Sequence, residues 1–576
     1  MARWPRRFLL YSAFCSFSLV SEGASKDLQR IDAHLALNDF HSAFEEVERQ
    51  SDSSTPSIEL YKRRLKILSK IHGDQSLLKE FRAALQNFPE LSFDRSLLEI
   101  VAWGIIEHGK RSESVQTRLM SLIGSAMTQS AAGIAVIEEL LDDPSAHVRA
   151  VAVACCAQIR DQHIQDKIFR LFETESCYPV RLQMIQTMGS AQSKKALPKL
   201  RQILESEKTA DDEKGAALIA LVSIMDQVDR TSLEMLVQSA RAELRHLASR
   251  LIYEKGGSND IDLLYILTRD PSAEVRLSAL RGVGLLCHDK VEEVVKIARE
   301  RTQDRDPRVV VVAAWLLAVY QDKQGVLILK ENLENPKRQI RLLAAAALAS
   351  TGEIASNECC EIMRHCHDPY LRINLAIGLL CQRSCESECC DVIAKVMQSE
   401  KQLWMWHEEA GFRILCPTQL KHRGEANRYP EAADSMTRLE LIQLLSTANH
   451  PNIEEVTYQF VTERSFGVTG AAIALLLTEG NDDSLESVKN LLEHPEYSVR
   501  LQAALILALW CRDEEVIDVL HRLYLSANRD MKDRILEGIG RIASQSSIPF
   551  LLEKIKEPQQ NLRIIAAAAL LQCLYR

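Results

Sequence analysis

A short motif returns through this chain at a nearly fixed interval, and that spacing limits the possible folds more than any single residue does. Asp143-Pro-Ser-Ala-His-Val-Arg149 is followed by Asp270-Pro-Ser-Ala-Glu-Val-Arg276 and Asn335-Pro-Lys-Arg-Gln-Ile-Arg341. Asp368-Pro-Tyr-Leu-Arg372, His494-Pro-Glu-Tyr-Ser-Val-Arg500 and Glu557-Pro-Gln-Gln-Asn-Leu-Arg563 continue the series. With the arginine as register mark, the ladder runs Arg118, Arg149, Arg181, Lys214, Arg245, Arg276, Val310, Arg341, Arg372, His407, Arg438, Thr469, Arg500, Lys532 and Arg563. Nine of its fourteen intervals are 31 residues and the rest are 32 to 35, so the period is a structural unit and not a coincidence of composition. Three positions after the mark stands an alanine in ten repeats: Ala152, Ala217, Ala248, Ala279, Ala313, Ala344, Ala410, Ala472, Ala503 and Ala566. A unit of this length cannot bury its own apolar faces, so such units stack and share one core.

Each part of the motif has a physical role. Asp or Asn before Pro predicts an N-cap followed by a first-turn proline, which starts a helix B. The residue before the arginine is usually Val, Leu or Ile and faces the core; the alanine after it lets neighbouring helices approach closely. A second amphipathic stretch precedes each B helix, for example Val291 to Ala298 or Ser484 to Leu492, and reads as helix A. Two helices of about a dozen residues with short turns fill the period. Composition agrees. With 22 Gly and 16 Pro in 576 residues, the chain holds roughly half the usual share of turn-formers, while 46% apolar residues is too many for disorder. The fold class expected is all-α, an α-solenoid of about fifteen stacked helical hairpins. The net charge of −9 offers no overall attraction to nucleic acid or anionic lipid.

The D-P-x-x-x-V-R-x-x-A pattern resembles HEAT repeats, particularly the short type also found in phycobilin lyase subunits. The resemblance implies that the ladder arginine joins an Asp or a carbonyl near the adjacent helix turn. Arg149, Arg276, Arg341, Arg372, Arg500 and Arg563 are accordingly structural and not catalytic. Ahead of the ladder, Leu37-Asn-Asp-Phe-His-Ser-Ala-Phe44 and Ile71-His-Gly-Asp-Gln-Ser-Leu-Leu78 each place a turn before a helix. They resemble tetratricopeptide hairpins without the Trp and Pro signatures of that family. The resulting division is a signal peptide over 1–23, tetratricopeptide-like hairpins over 26–92, HEAT-like repeats over 93–416, an irregular basic loop over 417–434, and HEAT-like repeats over 435–576.

The signal peptide rests on Arg3, Arg6 and Arg7, an apolar run from Phe8 to Val20, and the small-residue exit Ser21-Glu-Gly-Ala24. Cleavage after Gly23 would export the mature chain to a periplasm or extracellular space. Removing three arginines and one glutamate takes the charge from −9 to −11. The run is too short to span a bilayer comfortably.

Departures from a repeat are where specific function concentrates. Trp404-Met-Trp-His-Glu-Glu-Ala410 puts His407 in the arginine slot between aromatic and acidic residues, and Cys416 to Pro430 carries two prolines and a glycine where a helix A is due. Trp404, Trp406, His407, Lys421, Arg423, Arg428 and Tyr429 are the candidate partner-binding residues. Seven cysteines crowd positions 359 to 390, with Ser356 and Ser387 as candidate N-caps of their helices. Three readings stay open: small core residues on the faces Cys359/Ile362/Met363/Cys366 and Cys389/Val392/Ile393/Val396, disulfides favoured by an oxidising compartment, or a metal site for which Cys360, His365, Cys366 and His367 are candidates.

No catalytic motif appears in a fitting context. Deoxyhypusine hydroxylases, built on similar repeats, need several His-Glu pairs, and this chain has one, His407-Glu408. A lyase role conflicts with export, and a DNA-repair role conflicts with the charge. The expectation is an exported, non-enzymatic scaffold without cofactor. It binds a protein partner through its concave face or the 400–430 region; the alternative is a metal- or redox-dependent protein centred on 359–409. No nucleic acid and no transmembrane segment enter this reading. The apolar terminal stretch Leu562 to Cys573 has no polar repeat after it, which predicts an uncapped end and self-association.

Overall fold

The computed structural model describes residues 26–576 apart from 54–56, 72, 160, 226–229, 256–259, 287–290, 398–402, 418–429 and 449–481. The signal-peptide segment 1–23, Lys421, Arg423, Arg428, Tyr429, Thr469 and Ala472 lie outside the described residues. Among the described residues every regular element is helical except one pair of strands, so the all-α class holds with a single two-stranded insertion. The helices named below are α1 (Lys26–Ala36), α2 (Phe40–Ser53), α3 (Ile58–Leu68), α4 (Asp74–Asn87), α5 (Arg95–Lys110) and α6 (Val115–Thr128). Then follow α7 (Ala273–Leu286), α8 (Pro307–Val319), α9 (Arg338–Ala349), α10 (Glu353–His365), α11 (Pro369–Cys381) and α12 (Glu386–Met397). After the strands come α13 (Pro430–Thr447), α14 (Arg529–Ile542) and α15 (Gln560–Tyr575). Helix α13 begins inside the stretch expected to stay irregular to 434. No helix among the described residues is long and apolar enough to cross a membrane.

The chain forms two compact units: residues 156–506, and a unit made from 1–155 together with 507–576. In both, A and B helices alternate as the period requires; Val291–Arg301 and Asp482–Asn490 are two of the A helices. The recurrent alanines Ala152, Ala217, Ala248, Ala279, Ala313, Ala344, Ala503 and Ala566 are all fully buried. A larger side chain at any of them would push adjacent repeats apart, because close-packed interiors have no spare volume.

The ladder arginines share one geometry. Nη1 of Arg118 donates to the carbonyls of Ser112 and Glu113, Nη1 of Arg245 to those of Ser239 and Ala240, and Nη1 of Arg276 to those of Asp270 and Pro271. Arg149, Arg341, Arg500 and Arg563 repeat it. The guanidinium thus satisfies carbonyls of the turn between helices A and B, which the backbone leaves unpaired. Its other edge, Nε and Nη2, grips a carboxylate of the next repeat in bidentate fashion: Arg118 on Asp143, Arg245 on Asp270 and Arg276 on Asp304. Arg372 differs, with Nε buried and without a hydrogen-bond partner among the described residues.

This arrangement corrects the expected helix starts. At Asp143 and Asp270 the B helix begins three residues later, at Ala146 and Ala273. The aspartate accepts from the backbone N–H of Ser145 or Ser272 and so shapes the turn, and its carboxylate is also held by the preceding ladder arginine. Where Asp-Pro does cap a helix, at Asp306 and Asp368, the helix starts at the proline.

In the unit containing both chain ends, α1–α4 form two hairpins whose first turn passes through Asn38 in the left-handed region, φ 56°. The terminal helix α15 packs on α5, α6 and α14. The expectation of an uncapped end is therefore wrong: residues Leu562 to Leu571 of α15 are all buried within their own unit. Thr117 donates to Asn561 Oδ1 at 3.0 Å, Gln572 to the Met127 carbonyl at 2.9 Å, and Trp103 to the Tyr575 hydroxyl at 2.9 Å. A Cβ on Gly109 of α5 would collide with Ile564 of α15. The helix is apolar all round because neighbours of its own chain surround it.

Candidate functional site

The break in the ladder is a β-hairpin. Strand β1 (Trp404–Glu409) pairs antiparallel with β2 (Phe412–Pro417), Trp404 opposite Pro417 and Glu409 opposite Phe412. The two turn residues Ala410 and Gly411 both have positive φ, 51° and 85°, as a tight primed turn demands. This corrects the helical register: His407 occupies no arginine slot and Ala410 no helix contact. Trp-x-Trp followed by Phe-x-Ile-x-Cys alternates with a period of two, and Gly411 supplies the turn.

The hairpin is seated on B helices by specific contacts. At its base, Trp404 is fully buried with its ring 4.4 Å from that of Tyr370, and its backbone N–H donates to Asp434 on α13. Asp434 also pairs with buried Arg438, whose Nη1 donates to the carbonyls of Val396 and Met397. In the middle, the side-chain amide of Asn374 on α11 accepts from the Leu415 N–H and donates to the Leu415 carbonyl, both at 2.8 Å. One buried side chain thereby does for β2 what a neighbouring strand would do. Towards the tip, Phe412 meets the Trp315 ring of α8 edge-on, and Arg308 bridges Glu409, Glu274 and Asp306. Arg281 of α7 lies 3.9 Å from Glu408.

The candidate residues separate accordingly. Trp404 is core and not a partner contact. Trp406 is half-buried beneath the Arg413 guanidinium, 4.6 Å from its ring, and the His407 ring lies 3.2 Å from Glu409. Arg281, Arg308, Trp315, Asn374 and Arg413 went unsuspected in the sequence; their only signal was the period-two alternation of the strand they hold.

Because Leu415 sends both backbone groups to Asn374, the Trp406–Leu415 pair is a non-hydrogen-bonded pair of the ladder. The N–H and C=O of Trp406, and by alternation those of Glu408, face away from β2. Among the described residues they have no partner. An unpaired strand edge is a template for another strand.

The cysteine cluster resolves into all but one of its readings. Cys360 of α10 is bonded to Cys385, with Cα atoms 6.7 Å apart, so Cys360 is withdrawn as a metal ligand. Cys359 and Cys389 are core residues, and burial pushes both thiols up to about 12, which keeps them protonated and unreactive at neutral pH. His365 is largely exposed near Glu361. Among the described residues no three His, Cys, Asp or Glu side chains converge as a metal site. The expected caps Ser356 and Ser387 lie inside helices that start earlier, at Glu353 and Glu386.

A sequence model of HEAT repeats matches residues 134–222, 262–349 and 485–572, and the stacked hairpins with their arginine ladder are the structure such repeats form. The chain is an α-solenoid, and it carries HEAT repeats. No curated protein matches it in sequence. Among solved structures it is similar to yeast importin-β, at 13% identity over 98% of this chain and 84% of that one, TM-score 0.30. It is also similar to UNC-45 from Drosophila melanogaster, at 12% identity over 95% and 88%, TM-score 0.34. Human deoxyhypusine hydroxylase aligns at 18% identity over 45% of this chain and 98% of that one, TM-score 0.22.

Proposed function

We propose that this HEAT-repeat solenoid is an exported, non-catalytic scaffold that holds an extended segment of a protein partner against the outer edge of β1. The observation that carries the reading is the unpaired edge at Trp406 and Glu408, on a hairpin pinned in place by Asn374, Asp434 and Arg308. A held strand whose outward groups at Trp406 and Glu408 have no partner among the described residues favours strand addition, in which main-chain hydrogen bonds supply affinity. The half-buried Trp406, covered by Arg413, supplies an aromatic anchor of the kind that concentrates binding energy. Export rests on the basic, apolar and small-residue segments of positions 3 to 24.

The test uses the backbone. Glu408→Pro removes the outward N–H without touching the β1–β2 ladder, since proline is tolerated where a strand faces away from its neighbour. Glu408→Gln keeps that N–H. Quantitative capture from the native compartment should be lost with the first variant and kept with the second. Equal capture by a folded Glu408→Pro chain refutes the edge as the binding site. Mass spectrometry of the mature N-terminus tests export separately: a chain starting at Ala24 is expected, and an intact Met1 in the secreted fraction contradicts it.

A further inference from the structure

Among the described residues Arg341, Arg372 and Arg500 have no carboxylate partner, and at Arg341 a cleft stands where the carboxylate would be. Arg118 and Arg245 each reach an aspartate 25 residues ahead; the same offset from Arg341 lands on Cys366. The local sequences agree on this alignment. Asp304-Arg305-Asp306-Pro307 in the repeat that receives Arg276 corresponds to Cys366-His367-Asp368-Pro369 in the repeat that should receive Arg341. Asp306 and Asp368 play the same part, as N-caps of α8 and α11. Asp304 takes Nε and Nη2 of Arg276 at 2.9 and 2.7 Å. Cys366 instead turns its thiol to the Asp368 carbonyl, 3.6 Å away.

Arg341 keeps the other half of the ladder geometry. Its Nη1 donates to the carbonyls of Asn335 and Pro336 at 2.9 and 3.3 Å, so the guanidinium is held in the orientation its counterparts use. Its Nε–Nη2 edge has no partner among the described residues. Burial pushes the Cys366 thiol up, so the thiol stays neutral and supplies no counter-charge. Arg341 and Cys366 line a cleft of about 500 Å³ with an apolar wall of Leu333, Ile362, Leu371 and Leu375 and a polar side of Glu334, His365, His367 and Asp368. That volume falls in the range of small-molecule sites, and an apolar wall with a few placed polar groups is their usual composition. The acidic neighbours do not pair with the Nε–Nη2 edge: Asp368 accepts from the Tyr370 N–H and lies 3.7 Å from Arg338, and Glu334 is exposed.

We propose that this cleft binds a carboxylate carried on an apolar body, with the Arg341 fork gripping the carboxylate as Arg276 grips Asp304 and Leu333, Ile362, Leu371 and Leu375 covering the body. The carboxylate is that of a free organic acid or of a peptide C-terminus, and the same fork reads both. The site shares none of its residues with the free edge of β1, so it stands or falls independently of the partner proposed there.

Calorimetric titration of the full chain tests it with four probes: octanoate, octanol, the peptide acetyl-Ala-Ala-Leu with a free carboxylate, and the same peptide as its amide. Saturable binding of octanoate but not octanol identifies the organic acid; binding of the peptide acid but not its amide identifies a C-terminus. The decisive variant is Cys366→Asp, which rebuilds the missing rung within the chain. It should raise the melting temperature and weaken acid binding by about tenfold or more, as expected when a charged hydrogen-bonding group is already occupied. Cys366→Ser should bind as the parent does, and Arg341→Lys, which keeps the charge and loses the fork, should bind more weakly. Absence of saturable binding by both acids, or binding that Cys366→Asp leaves unchanged in a folded chain, overturns the proposal.

Discussion

Arg563 in the last helix donates Nε and Nη2 to a single carboxylate oxygen of Asp74, at 2.9 and 2.7 Å, across 489 residues of sequence. Both residues are about 5% exposed, and Asp74 is the first residue of α4. The last arginine of the ladder thus finds its carboxylate in the N-terminal hairpins, through the same Nε–Nη2 edge that joins Arg276 to Asp304 of the next repeat. The unit that holds both chain ends is closed by the chain's ordinary repeat contact.

Removing one partner of this pair leaves a buried charge uncompensated, which typically costs about 3–5 kcal/mol. Asp74→Ala should therefore lower the denaturant midpoint well beyond a surface aspartate variant. Amide exchange should speed up together in α15, α5 and α6. If α15 keeps its protection in Asp74→Ala, the pair does not hold the two ends together.

The repeat was legible because its residues do the same work many times. Period, arginine slot and buried alanine follow from packing that every hairpin must solve, so they recur and can be counted. Asp143 was misread because the same Asp-Pro string serves a helix cap at Asp306 and Asp368 and a turn plus ladder bond at Asp143 and Asp270; the choice follows the spacing, four residues before the register mark in the first case and six in the second. The hairpin was misread because it happens once. Its strands occupy a ladder interval, and the helical register was carried across Trp404 to Ala410 although the alternation there has a period of two. The cover of α15 was invisible for another reason: nothing local to Leu562–Cys573 says that residues near Gly109 will lie upon it.

Asn374 offers a sharper probe of the hairpin than its aromatic residues do. Its amide satisfies two buried backbone groups of Leu415 at once, and each orphaned group costs about 1–3 kcal/mol. Asn374→Ala should loosen the hairpin, seen as faster exchange at Leu415 and its neighbours and a lower midpoint for the whole chain. Asn374→Asp should be as harmful, since a carboxylate accepts from the N–H but repels the carbonyl. Unchanged protection at Leu415 in both variants means that the strand is held by its side chains alone.

The Cys360–Cys385 bridge ties α10 to the turn before α12 across 25 residues. A loop of that length contributes about 2–4 kcal/mol by restricting the unfolded chain. Reduction should lower the unfolding midpoint, and Cys360→Ser/Cys385→Ser should show the lowered value with or without reductant. Alkylation before reduction should leave these two thiols, and no other pair among those described, unmodified when unfolded. A midpoint insensitive to reductant in the parent chain contradicts this contribution.

Asp533 on α14 has a buried Oδ1 with no hydrogen-bond partner among the described residues. Desolvation, with Asp530 adding to it and Arg529 opposing, pushes its carboxyl up to about 6, against about 3.9 in an unfolded chain. The native state then holds this proton more tightly than the unfolded state does, so between about pH 4 and 6 stability falls as pH rises. Above that window the penalty is constant, and below it the penalty is absent. Asp533→Asn abolishes the titration. At pH 7 the variant should be more stable than the parent by about 1–3 kcal/mol, the value of two units reduced for partial solvation, and at pH 4 the two should unfold alike. Denaturant midpoints at both pH values decide it: an advantage that is the same at pH 4 and pH 7 would come from packing and not from the buried charge.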